Sequence, residues 1–292
     1  MNKLYIILSL LLFSNISFAK IKVLATTTNV ASLVKLIGGD QVDVSSICLG
    51  TQDPHHLEAK PSYTLKASRT DILVDIGLGL EVGWLPLVVR GARNPAIHSG
   101  AKGRLTLGDY INPLEVPTGS VSRADGDVHP QGNPHFLFSF SRVKKLAVVV
   151  ASKLAEFDAS KADIFSQNAE IFKKHIDELS KNIPRGIKVV TQHKTFTYFL
   201  AETGARIVAT IEPKPGIPPS AADILNVTHK LKLMKPNVIL VENTFDDSAA
   251  KRIAREVKGV PVDVVPIGVY GEKGINNLYD LYKRLIKALV RK

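Results

Sequence analysis

The sequence predicts an α/β protein of two lobes, each a parallel sheet flanked by helices, joined by one long rigid helix. Two observations lead to this prediction. Short apolar, β-branched runs alternate with helically spaced segments in both halves of the chain. A long helical pattern, from about Ser160 to Asn182, separates the halves. Because open parallel sheets bind ligands at the carboxyl ends of their strands, we expect a binding cleft between the lobes.

The first nineteen residues have the features of an export signal. Lys3 supplies a positive start, residues 4–13 form an apolar run, and Ser17-Phe18-Ala19 fits a cleavage site. The run is shorter than the roughly 20 residues of a membrane-spanning helix. A retained N-terminal anchor is the alternative. No cysteine lies near the cut, as a lipid anchor would require, so we expect a free periplasmic protein cleaved after Ala19. We also expect a monomer.

The remaining chain divides into a lobe over residues 20–158, a linking helix over 159–184 and a lobe over 185–292. The first lobe opens with a β-branched run typical of a buried strand, followed by a helical pattern that stops at Gly38-Gly39. Its predicted elements are strands at 21–26, 42–49 and 72–76, and helices at 30–37, 62–68 and 142–157. Residues 112–134 are rich in Pro, Gly, Asp and Ser and predict a loop.

The second lobe repeats this plan after the stop signal Pro184-Arg185-Gly186. A proline-rich loop is expected over residues 212–220. The predicted strands cover 187–191, 207–211, 238–241 and 262–265, and the predicted helices cover 196–203, 221–234, 248–257 and 275–290.

Charge and cysteine content exclude some classes of function. The full chain has 38 Lys and Arg against 27 Asp and Glu, a net charge of +11. Its lysines are scattered along helix faces, which indicates solubility and weak attraction to anionic surfaces rather than nucleic-acid binding. Cys48 is the only cysteine, so no intramolecular disulfide can form; its apolar surroundings predict a small buried side chain.

Three of the eight histidines follow a strand or a loop and face the predicted cleft: His55, His135 and His193. Neutral imidazole binds zinc at about 2.0–2.1 Å, and three imidazoles with a water form a known zinc arrangement. Proline precedes the first two and stiffens the loops that carry them. From the residues alone, ordinary hydrogen-bonded histidines remain the alternative. The histidines expected in solvent are His98, His175 and His229.

Three segments, in order, resemble the metal-binding solute-binding proteins of ABC importers, the ZnuA-like zinc and manganese uptake family. They are Asp53 to Glu58, Asn133-Pro134-His135, and His193 to Phe199. The resemblance covers the whole mature chain and implies two lobes joined by a rigid helix. It also implies metal capture through His55, His135 and His193, with delivery to an ABC-transporter permease in the inner membrane.

One family feature is absent. Many members place an aspartate ligand in a D-P-hydrophobic-G segment, which here reads Val265-Pro266-Ile267-Gly268. Valine cannot bind metal, so something else completes the site. Water is the simplest candidate. Glu242 should lie at the cleft rim, where it could bind the metal or hold a ligand imidazole in place. His129 is an equal candidate for the fourth position, and Glu212 is a more remote one. His56 should point away from His55.

The loop before His135 allows two interpretations. Asp125, Asp127 and His129 form a sparse version of the His- and Asp-rich loop that zinc-binding members carry. The loop either collects metal near the cleft or is an ordinary solvated loop.

Three imidazoles favour zinc, whereas manganese prefers carboxylate oxygen; copper and nickel also bind imidazole. A zinc-dependent hydrolase with Glu242 as base is the rival class, but the chain has no HExxH, nucleophile elbow or phosphate loop, so we expect no enzyme. A corrinoid or iron-chelate binding protein would need an aromatic cleft, and Trp84 is the only tryptophan. A surface adhesin is a weaker rival.

Overall fold

The computed structural model describes residues 20–181 and 183–290, so the predicted export signal lies outside the described residues. The first half forms one parallel sheet with strand order β2-β1-β3-β4. Its elements are β1 (Ile21–Ala25), α1 (Thr28–Gly38), β2 (Val42–Ser46), α2 (Pro61–Ser68), β3 (Ile72–Asp75), α3 (Leu85–Ala92) and β4 (Arg104–Thr106). The sequence pattern did not predict α3 and β4, and β2 ends three residues earlier than expected.

Two long helices follow, α4 (Phe140–Phe157) and α5 (Ala162–Ser180). They pack against each other, and α5 also packs against α1. Helix α5 is shorter than the predicted linking helix of residues 159–184, because a 3-10 turn (Ala159–Lys161) precedes it and the helix ends before Pro184. Phe165, Phe172 and Ile176 face the core as their spacing predicts, but Ile164 and Ile171 face solvent.

The second half repeats the first, with strand order β6-β5-β7-β8 and all strands parallel. Its elements are β5 (Lys188–Thr191), α6 (Thr197–Thr203), β6 (Arg206–Thr210), α7 (Ala221–Met234), β7 (Val238–Glu242), α8 (Ser248–Val257), β8 (Val262–Val265) and α9 (Leu278–Val290). The predicted fold class, two parallel sheets flanked by helices, is confirmed. The lobe boundaries at residues 158 and 185 remain a proposal.

One continuous apolar core joins the two sheets. It contains residues of β1, α1, α4 and α5 together with residues of β5, α6, β7 and α9, for example Val30, Phe172, Phe199, Leu240 and Leu285. A smaller cluster lies on the outer face of each sheet. Burial of large apolar side chains is the main source of stability, so the core, and not the linking helix alone, holds the halves together.

Polar contacts also cross between the halves at α1. Asn29 Nδ2 donates to the carbonyl of Ile267 at 2.8 Å, and the Val269 amide donates back to Asn29 Oδ1 at 2.9 Å. At Gly50 the backbones are so close that an added Cβ would lie 2.1 Å from the Val269 oxygen. This fixes the segment directly after β8 and Val265 against the first half.

Within the described residues, no helix is both long and apolar enough to span a bilayer.

Candidate metal site

Four histidine rings meet between the carboxyl ends of the two sheets. The ring centre of His55 lies 5.2 Å from that of His129, 5.3 Å from that of His135 and 6.1 Å from that of His193. The rings of His135 and His193 are 5.8 Å apart. The structure therefore brings together the three histidines that the sequence singled out and adds His129, which was an open candidate.

His55 follows β2 in a 3-10 turn (Pro54–His56) that Asp53 caps. Asp53 Oδ1 accepts from the His55 backbone amide at 2.9 Å and lies 2.7 Å from His55 Nδ1. Since a carboxylate can only accept, Nδ1 carries the hydrogen and Nε2 presents its lone pair to the cleft. Burial raises the pKa of Asp53, but the hydrogen bond from His55 outweighs it and the pKa falls to about 2.

The turn carrying His55 also rests on Trp84. This side chain is fully buried, and its Nε1 donates to the Pro54 carbonyl at 2.9 Å. From the sequence, Trp84 was only a candidate aromatic for the lining of the cleft. Its supporting contact is long-range in the chain, so only the folded structure reveals it.

His193 directly follows β5 and is held by Glu212. His193 Nδ1 lies 2.8 Å from Glu212 Oε2, the oxygen that also accepts from the Gly216 amide at 2.8 Å. The ring stacks on Phe245 with centres 5.5 Å apart. Burial lowers the pKa of His193, but the hydrogen bond with Glu212 and the nearby Glu242 raise it above its usual value. As at His55, the carboxylate leaves Nε2 toward the cleft.

His135 is fixed through Asn133, which ties it to the second half. The His135 amide donates to Asn133 Oδ1 at 2.9 Å, and Asn133 Nδ2 donates to the Lys194 carbonyl at 3.0 Å. The hydroxyl of Tyr198 donates to the Asn133 carbonyl at 2.7 Å. Burial, reinforced by the neighbouring histidines, holds the pKa of His135 well below its usual value and keeps the imidazole neutral.

His129 lies against His55, with 3.1 Å between the two Nε2 atoms. Two nitrogens bound to one tetrahedral zinc at about 2.0–2.1 Å would lie roughly 3.3 Å apart, so this spacing fits a shared ion. Burial lowers the pKa of His129 to about 4. His129 is therefore partly buried against His55 instead of lying in open solvent, and its role as a metal ligand stays a prediction.

The two glutamates differ from expectation. Glu212, the most remote candidate, supports His193 directly. The expected position of Glu242 at the cleft rim is wrong, because the side chain is fully buried at the end of β7 beside Val265 of β8. Neither carboxylate oxygen of Glu242 has a hydrogen-bond partner among the described residues, and burial raises its pKa to about 7.

The predictions for the three solvated histidines and for Cys48 agree with the structure, and the prediction for His56 does not: its ring centre lies 6.1 Å from that of His55, because residues 54–56 form a 3-10 turn and not extended backbone. His98, His175 and His229 are exposed. His56 is 65% exposed, and its Nε2 lies 3.6 Å from Asp127 Oδ2 on the outer side of the site. Cys48 is buried, and burial raises the pKa of its thiol to about 12, so it does not offer a thiolate.

The chain matches one family model, described as "Zinc-uptake complex component A periplasmic", over residues 23–292. The chain belongs to this family. Its members are the metal-binding, substrate-binding proteins of ABC importers, a non-enzymatic component that works outside the cytoplasm with a permease and an ATPase.

Relatives and solved structures agree with this membership. The manganese ABC transporter substrate-binding lipoprotein PsaA of Streptococcus anginosus is 25% identical over 254 residues, which cover 83% of this chain and 78% of PsaA. The iron ABC transporter substrate-binding lipoprotein MtsA of Streptococcus pyogenes is 24% identical with the same coverage.

Two solved structures share the fold. A crystal structure of ZnuA has a TM-score of 0.76 and 23% identity, covering 93% of this chain and 100% of that one. The Mn²⁺ complex of FpvC from Pseudomonas aeruginosa has a TM-score of 0.74 and 23% identity. The match covers 93% of this chain and 99% of the FpvC chain. In this chain His129 lies in the cleft and Val265 ends β8.

Proposed function

We propose that this protein captures zinc between its two sheets through His55, His129, His135 and His193, and delivers it to an ABC-type importer. The convergence of four imidazoles supports this set, above all the 3.1 Å between Nε2 of His55 and Nε2 of His129. In this proposal His129 takes the fourth position, which the sequence left open among water, Glu242, His129 and Glu212.

The donor chemistry favours zinc over manganese and iron, the metals named for PsaA and MtsA. Two carboxylates beside the rings, Asp53 and Glu212, are hydrogen-bonded to ring nitrogens, and Glu242, which also acts on His193, is fully buried with a pKa raised to about 7. Imidazole nitrogen is a ligand of intermediate softness and suits zinc, whereas manganese prefers oxygen ligands. Copper and nickel also bind imidazole, so competition among these metals belongs in the test; FpvC, for comparison, has been solved with Ni²⁺.

The size of the cleft supports a bare ion as the cargo. The cavity beside the histidines has a volume of about 50 Å³. Pockets for drug-sized ligands have about 300–1,000 Å³, so a corrinoid or an iron chelate would not fit. Members of this family work outside the cytoplasm. We further propose that this protein is a periplasmic monomer and that its export signal is cleaved after Ala19.

Elemental analysis and calorimetric titration test this function. Protein purified without added metal should contain one zinc per chain, and zinc should displace manganese in competition. Alanine at His55, His135 and His193 together should abolish binding, whereas H229A, at an exposed histidine, should bind as wild type does. Stoichiometric zinc in the triple variant, or a preference for manganese, would refute the proposal.

A further inference from the structure

The loop that carries His129 interlocks with a loop of the other half. We name residues 122–132 the His129 loop and residues 212–220 the proline-rich loop. The Asp127 amide donates to the Pro215 carbonyl at 2.8 Å. Lys214 Nζ donates to the Ala124 carbonyl at 2.8 Å and lies 3.3 Å from Asp125 Oδ1. We call these contacts the clasp.

Two glycines make the clasp sterically possible. Gly126 has φ +75°, and a Cβ added there would lie 2.0 Å from the Pro215 oxygen. Gly216 has φ +74°, and a Cβ there would lie 2.0 Å from Asp127 Oδ2. At Gly126 the clash is with backbone, so any side chain there would force the loops apart. At Gly216 the clash is with the Asp127 carboxylate, which would have to turn away from the proline-rich loop, so the stronger steric requirement lies at Gly126.

In each half, the clasp is connected to one of the proposed metal ligands. On one side, Asp127 precedes His129 by two residues, and His129 Nε2 lies 3.1 Å from His55 Nε2. On the other side, the Gly216 amide donates to the Glu212 oxygen that holds His193. Opening the clasp would therefore withdraw His129 from the cleft and loosen the support of His193.

We propose that Lys214, Gly126 and Gly216 are positioning residues that hold His129 over the bound ion and thereby set the rate of metal release. This inference rests on the proposed function. A tethered fourth ligand re-binds at high effective concentration each time it leaves the ion, which slows dissociation. Without the tether, the ion is held by three imidazoles and is open to water. A permease contact that parts the two loops would have the same effect.

Release of zinc to an excess of chelator, followed by stopped flow on the loaded full-length mature protein, tests the inference. We expect G126A and G216A to release zinc at least about tenfold faster than wild type, the lower end of the effect of losing a contact that supports a metal ligand. The matched controls are G100A in the first half and G186A in the second. Their φ values are +77° and +75°, and a Cβ there meets nothing within 4 Å, so they carry the backbone strain without the clash.

A second pair of variants covers the case in which a glycine variant fails to fold. Lys214 is about half exposed, so its loss should leave the thermal midpoint unchanged. K214A should release zinc several-fold faster, and K214R, which keeps the charge and the donors, should restore slow release. In an H129A background, K214A should accelerate release less than it does in wild type, because only the support of His193 is left to loosen.

The outcomes separate this inference from the proposed function. If wild type does not retain zinc, or if H129A releases it as slowly as wild type does, the ligand assignment fails. If H129A accelerates release but the clasp variants match G100A and G186A, the clasp proposal alone is overturned. Equal acceleration by K214A in the wild-type and H129A backgrounds would also overturn it.

Discussion

Two carboxylates determine which nitrogen of each ring faces the proposed ion. Asp53 holds Nδ1 of His55 at 2.7 Å, and Glu212 holds Nδ1 of His193 at 2.8 Å. Each carboxylate lies in the half that supplies its histidine, so each ring is oriented before the ion arrives. Such supporting carboxylates fix the tautomer and increase the basicity of the ligand.

We predict that D53N and E212Q each weaken zinc binding by about 10- to 100-fold, because a neutral amide fixes the ring less firmly and can present the wrong atom to Nδ1. Calorimetric titration at neutral pH measures the effect. D40N, which changes a highly exposed carboxylate, serves as the control. Unchanged affinity in both variants would mean that the histidines orient without these partners.

The pH dependence of binding should be governed by His193 rather than by His129 or His135. Zinc binds only neutral imidazole. The pKa of His193 is raised by its hydrogen bond with Glu212, so this ring keeps its proton to a higher pH than a free imidazole, whereas burial lowers the pKa of His129 to about 4 and that of His135 well below its usual value.

Zinc affinity should accordingly fall as pH drops through the raised pKa of His193, by about tenfold per unit for one displaced proton. Titrations in buffers of different ionisation enthalpy between pH 5 and 8 would count the protons released. Affinity that is constant over this range, or a loss of affinity steep enough for three or four protons, would contradict this assignment.

The sequence alone pointed to three of the four proposed histidine ligands, because each lies in a local motif. The motifs are Asp53 to Glu58, Asn133 to His135 and His193 to Phe199. His129 and Glu212 could not be assigned in the same way. Their roles depend on contacts with side chains outside their own segments: His129 meets His55 from 74 residues away, and Glu212 meets His193 from 19 residues away. No local pattern encodes such a contact, although glycines at 126 and 216 are a usable hint in retrospect.

Among the secondary-structure elements, the strands that carry the site were predictable from the sequence, and β4, at the edge of the first sheet, was not. Strands β1, β3, β5 and β7 are buried apolar runs, whose pattern is strong. Strand β4 has only three residues, and α3 follows a turn-rich segment, so neither gives a clear periodic pattern. The site is unaffected, because β4 lies at the far edge from His55.

The contact of α1 with the segment after β8 should contribute measurably to stability. N29A removes both hydrogen bonds that Asn29 makes with the backbone of Ile267 and Val269, and leaves buried partners unsatisfied. We expect the free energy of unfolding to fall by about 1–3 kcal/mol, measured by urea denaturation of the metal-free protein. N226A, on the exposed face of α7, is the control, and an equal effect there would refute this role.

For the whole molecule, the shared core argues against a wide hinge motion. Apolar residues from both sheets and from α5 pack in one cluster, which would have to be broken to rotate one half away. The metal-free and zinc-loaded forms should therefore have the same radius of gyration, about 18 Å for a compact chain of this size. Small-angle X-ray scattering measures this, and an expansion of several ångströms on metal removal would contradict it.

The central claim is a site of four imidazoles, three from family motifs and one from the His129 loop. X-ray absorption spectroscopy at the zinc edge tests it most directly. We predict four nitrogen neighbours at about 2.0 Å with the outer-shell pattern of imidazole, and three nitrogens plus one oxygen in H129A. A wild-type spectrum with carboxylate oxygen in the first shell, or an identical spectrum for H129A, would contradict the account.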